Sequence, residues 1–196
     1  MANINAPFGF RLQGRTSDVK VSPYLVVAGD TAPLGIGDPV KLTGTSEAVA
    51  DFGGGNLPIV ARAAAGDRLR GIVIGFDPYL EVAYNSVQLG VKHRLASTRR
   101  IAYVVDDRDA EFVCQMDASG TAAVTDVGAA FDTITAADCN SITGVSVSAL
   151  AQTTVSSSAG QFKLLRFVGD PLNEVGDYVR CVVRINEHVD STEAAV

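Results

Sequence analysis

Few residues in this 196-residue chain have the types and spacing to do chemistry. The three cysteines, Cys114, Cys139 and Cys181, form no C-x-x-C pair, and an odd number does not suit a secreted disulfide framework. Cys114 and Cys181 each lie in an alternating apolar stretch (Phe112-Val-Cys114-Gln-Met116 and Val179-Arg-Cys181-Val-Val183), so both read as small buried hydrophobes. The only histidines, His93 and His188, are far apart, and no set of four Cys/His ligands has zinc spacing. Asp106, Asp107, Asp109 and Glu111 cluster as a hard-cation site would, but lack the calcium-loop pattern and read as a solvent-facing turn. Gly35-x-Gly37 is followed by Pro39 where a dinucleotide fold would open its helix. A nucleophile elbow and a Walker-type phosphate loop are absent from the sequence. A carboxylate pair could serve a small β-fold hydrolase, yet nothing distinguishes two of the 22 acids, and there is no Trp for a sugar platform. The reading is of a non-enzyme with no metal or cofactor, whose surfaces carry the function.

Those surfaces need positioning elements, and the periodicity is mostly β. Tyr24-Leu-Val-Val27, Val40-Lys-Leu42 and Arg70-Gly-Ile-Val-Ile-Gly-Phe76 read as short strands between turns. Residues 58–66 fit a short helix, with Pro early and Gly after the end, but a strand through Ile59–Ala63 competes, and the surroundings favour the strand. Further on, Ile101, Tyr103 and Val105 alternate with their neighbours, and Phe112, Cys114 and Met116 lie opposite Glu111, Val113 and Gln115. Phe162, Leu164, Arg166 and Val168 alternate with Lys163, Leu165 and Phe167. The clearest strand, residues 177–186, sets Val179, Cys181, Val183 and Ile185 against Tyr178, Arg180, Val182 and Arg184. Such alternation marks antiparallel strands with one wetter face. The expectation is a mainly β protein, an antiparallel sandwich or barrel (a jelly roll is one form), with an extended N-terminal arm over residues 1–22. A β-rich lobe over 23–100 and an antiparallel lobe over 101–188 follow, and 189–196 make a short acidic tail. Residues 118–160 are expected to hold weak strands, loops and at most a short helix.

Net charge is −6 with a pI near 4.8, which argues against broad nucleic-acid binding. No apolar run approaches the roughly 20 residues of a membrane helix. The start, MANINAPFGF, lacks the basic and apolar regions of a secretory signal, so a soluble protein folded in a cytosol is expected. The charge is unevenly distributed. Residues 1–100 hold 11 Lys and Arg against 8 Asp and Glu, a balance of +3; residues 101–196 hold 5 against 14, a balance of −9. Two groups stand out as interface candidates: Phe8, Phe10, Arg11 and Arg15 in the arm, and the basic run Lys92, Arg94, Arg99 and Arg100.

Both ends of the chain resemble a known group. The opening Ala2-Asn-Ile-Asn-Ala-Pro-Phe-Gly-Phe-Arg11 is similar to the start of small structural proteins from the head-gene clusters of tailed bacteriophages. The ending Phe167-Val-Gly-Asp-Pro-Leu-Asn-Glu-Val-Gly-Asp-Tyr178 through Arg184-Ile-Asn-Glu-His188 is similar to their end, and Gly37-Asp-Pro-Val-Lys-Leu42 and Gly71-Ile-Val-Ile-Gly-Phe-Asp-Pro78 also fit. The group resembles capsid decoration, or cement, proteins. That resemblance implies a homodimer or homotrimer, made in a host bacterial cytoplasm, that binds the major capsid protein on the outside of an expanded HK97-like shell. It implies neither a nucleic-acid nor a membrane partner. A tail or head–tail accessory protein is the alternative.

Overall fold

The computed structural model describes residues 3–14, 18–49, 55–81, 86–88, 90–135 and 137–191. Its strands in chain order are β1 (Arg11–Gln13), β2 (Val21–Val26), β3 (Pro39–Ala48), β4 (Asn56–Arg62), β5 (Gly71–Phe76), β6 (Tyr79–Glu81) and β7 (Ser86–Gln88). They continue with β8 (Arg100–Val105), β9 (Glu111–Gln115), β10 (Ala130–Phe131), β11 (Thr133–Thr135), β12 (Ser148–Leu150), β13 (Phe162–Phe167) and β14 (Arg180–Ile185). The protein is mainly β, as the alternation predicted. Strand β4 takes Asn56–Arg62, so the strand prevails over the helix at 58–62 while 63–66 lie beyond it; the 118–160 region holds short strands with two single 3-10 turns, at Val124–Asp126 and Gln152–Thr154.

Five strands close into a barrel in the order β2-β4-β3-β5-β8, every pair antiparallel except β2–β4. Tyr24, Val26, Val40, Val60, Val73, Ala102 and Val104 fill its interior, while the alternate residues Leu25, Ile59 and Ile101 pack with Val49 and Leu57 on an outer wall. Closure requires β5 to approach β8 closely, and Gly71 allows it: a Cβ there would lie 2.0 Å from the Val105 carbonyl oxygen. The lobe boundary expected at residue 100 is therefore displaced. β8 closes the barrel, so the change of sheet comes after Val105.

The second sheet runs β1-β9-β14-β13-β10. Its inner face carries Phe112, Cys114, Leu164, Cys181, Val183 and Ile185, packed against Leu69, Ile72 and Val105 from the barrel. One apolar core thus joins both units. Cys114 and Cys181 are buried as predicted and are register partners with sulfurs 3.6 Å apart; Cys139 is free and buried as well. Burial raises the Cys114 thiol well above its ordinary value.

Residues 3–14 lie along this sheet. β1 pairs with β9, and Phe10, 1 % exposed, enters the shared core and stacks on Phe162 at 4.2 Å. Gly37 makes room for that passage. It adopts φ +94°, its carbonyl accepts the Phe10 N–H, and a Cβ there would meet the Phe10 nitrogen at 3.0 Å. The Gly35-x-Gly37 pair thus serves a chain crossing. Of the expected arm, residues 1, 2 and 15–17 lie outside the described residues, as do 192–196 of the acidic tail.

Candidate interface

The basic run does not form a surface patch. Arg94 is fully buried, and its guanidinium donates to the backbone carbonyls of Val27, Asp30, Ala32 and Thr98. Arg100 is 6 % exposed; it donates to the carbonyls of Asp77, Val91 and His93 and lies over the Phe76 ring. Both readings as interface residues are corrected. A guanidinium has five donors in a rigid fork, so it can saturate inward-facing loop carbonyls that no strand partner reaches. Lys92 and Arg99 remain exposed, Arg99 pairing with Glu47 at 3.1 Å. In the N-terminal group Phe10 is corrected too, because the core consumes it. Phe8 stays half-buried with the exposed Arg11 guanidinium 5.0 Å from its ring centre, and Arg15 lies outside the described residues.

The acidic turn also differs from expectation. Asp107 caps it, accepting the Asp109 N–H, but Asp106 is buried at the joint between the units. Its Oδ2 accepts from Tyr24, Arg70 and Lys20 at 2.9, 2.6 and 3.0 Å, and Arg70 also reaches Asp190 at 2.5 Å. Burial alone would raise the Asp106 carboxyl, but hydrogen bonds from Lys20 and Tyr24 and the charge of Arg70 outweigh it and hold the pKa low. Potential metal-ligating atoms of Asp106, His188 and Asp190 lie within 4.8 Å of one another. Arg70 and Lys20 already neutralise these carboxylates, while His188 accepts the Asp190 N–H at Nδ1 and faces the Arg70 carbonyl with Nε2. The cluster is a charge tie between barrel and C-terminal segment. A second tie joins Asp38 to the hydroxyls of Ser146 and Ser148; burial raises its carboxyl despite those bonds.

A continuous surface does form on the outward face of the second sheet. Register aligns Arg11, Val113, Val182 and Arg166 in one row across β1, β9, β14 and β13. The next row runs Gln13, Glu111, Arg184 and Lys163. Arg180 stands opposite Gln115. Four of the five cations in residues 101–196 therefore gather on this face beside Arg11. Arg166 reaches it by a register shift between Leu164 and Arg166, which inserts an extra residue and overturns the strict alternation expected there. The Arg180 and Arg184 positions were visible in the alternation of 177–186, but the joining of β13, β14, β9 and β1 was not.

At one end of this face lies a groove of about 690 Å³. Val113, Ile4, Ala6, Phe8, Val168 and Leu172 line it, with Arg11, Gln115 and Arg180 among its polar residues. Ile4 and Leu172 are 80 % and 66 % exposed. Gln115 fixes the walls: its Oε1 accepts the Ala6 N–H, and its Nε2 donates to the carbonyls of Ile4 and Tyr178. Asn3 completes the clasp, donating to the Glu174 and Asp177 carbonyls and accepting the Glu174 N–H. Tyr178 is held at φ +57°, a left-handed conformation that costs a non-glycine residue on the order of 1 kcal/mol or more. No family model, curated protein or solved structure matches the chain.

Proposed function

We propose that the chain is a structural virion protein that decorates the outside of an HK97-like capsid shell and bridges its major capsid subunits. One observation carries this reading. Described residues of the two end segments whose sequences resemble phage decoration proteins (2–11 and 167–188) line the same groove and are hydrogen-bonded together through Asn3. Asn3 and Glu174, 171 positions apart in sequence, have no local reason to converge; a shared contact surface supplies one. The shared core and buried ties give the rigid scaffold such a clamp needs. Binding the closed shell and not separated subunits favours the closed shell by mass action, and repetition over a lattice adds avidity.

The test is to mix the full chain with empty expanded shells, sediment them, image the pellet and count copies by symmetry axis. Co-sedimentation at regular lattice positions is the expected result. Shells that stay bare, while the protein remains folded in the supernatant, overturn the proposal.

A further inference from the structure

The outward sheet face combines two features that point to the chemistry of its partner. The first is uncompensated charge. Lys163 and Arg184 are direct cross-strand neighbours, an arrangement of like charges that destabilises a sheet. Among the described residues no carboxylate lies within ion-pair distance of either, nor of Arg11; Glu111 is engaged by Arg166 at 2.9 Å and Asp170 by Arg180 at 2.7 Å. The second is the apolar groove that continues the same face past Val113. We propose that this face binds a protein segment carrying several carboxylates beside an apolar anchor. The anchor enters between Ile4 and Leu172, and the carboxylates meet Arg11, Arg184 and Lys163. This rests on the shell-binding reading and names the partner chemistry for it.

A phosphate backbone fits less well. It has no apolar side chain to fill the groove, and the whole protein carries −6. Arginines beside exposed aliphatic and aromatic residues are instead the composition of protein–protein contacts.

The probe is a fluorescein-labelled peptide alternating Glu and Leu around a single Phe, followed by anisotropy with the full-length protein. Expected are binding that weakens with salt, no binding of the same peptide with Lys for Glu, and a loss of about tenfold or more in the K163E/R184E double variant. Neither replaced side chain makes an intramolecular ion pair, but charge reversal at 184 would face Glu111 across the sheet, so the neutral K163Q/R184Q variant serves as the folding control and should keep the wild-type urea midpoint while losing most of the peptide binding; Leu172→Asp, at an exposed position, tests the groove separately. Equal peptide binding by wild type and both variants overturns the inference. So does tighter binding of a DNA duplex or of phosphatidylglycerol vesicles than of the peptide. Shells that bind wild type and double variant alike overturn this face while leaving shell decoration intact. A peptide that discriminates as expected while shells remain bare supports the face and removes the shell reading.

Discussion

Arg94 shows how a single charged side chain can serve as internal scaffolding. Its guanidinium replaces water for four backbone carbonyls, from Val27 and Asp30 through Ala32 to Thr98. Burial lowers its pKa, but an arginine stays charged, so its removal leaves those acceptors unsatisfied. Arg94→Lys, with three donors on a point charge, is expected to lose about 3 kcal/mol in urea unfolding; a loss below about 1 kcal/mol would show that water fills in. Phe10 and Phe8 make a contrasting pair two residues apart. Phe10→Ala removes a ring from the shared core and its stack on Phe162, with an expected cost of about 3–5 kcal/mol. Phe8→Ala should cost about 1 kcal/mol or less and show its effect in shell binding. Equal costs at the two positions would contradict the separation of core from groove.

At the scale of elements, two buried groups should set the acid limb of stability: His93 in the segment before β8 and Asp106 at the joint between barrel and sheet. His93 is buried and faces the Arg100 charge, both of which lower its pKa. The folded chain then takes up this proton less readily than the unfolded chain, so stability falls as pH drops from about 6.5 toward the folded value. The depressed Asp106 carboxyl acts further down: its contribution is full above about pH 3.9 and is lost as pH falls through its lower folded value. His93 Nδ1 has no hydrogen-bond partner, so His93→Leu should leave the urea midpoint near pH 8 almost unchanged and flatten the slope below about 6.5. A slope as steep as wild type would remove His93 from the account. Asp106→Asn should instead lower stability at neutral pH and erase the step at lower pH. Individual strands such as β9 and β14 were legible because alternation of apolar and polar residues records which side faces a core. The β13 bulge was not legible, since an inserted residue leaves the composition of the strand unaltered and changes only its pairing.

Over the whole molecule, charge follows topology more than sequence position. The −9 half contributes four cations to one sheet face, while two members of the basic run are buried among carbonyls. A polarity counted along the chain therefore misplaces the basic surface. The two ends of the chain converge on a groove that neither builds alone. By itself, the sequence determined the mainly β class, most strand positions and the burial of Cys114 and Cys181, because these follow from local period and residue type. Tertiary structure decided the barrel closure, the roles of Arg94, Arg100 and Asp106, and the assembly of the outward face. Those depend on which strands pair and in what register, and the partners lie tens to more than a hundred residues apart, beyond the reach of any local pattern.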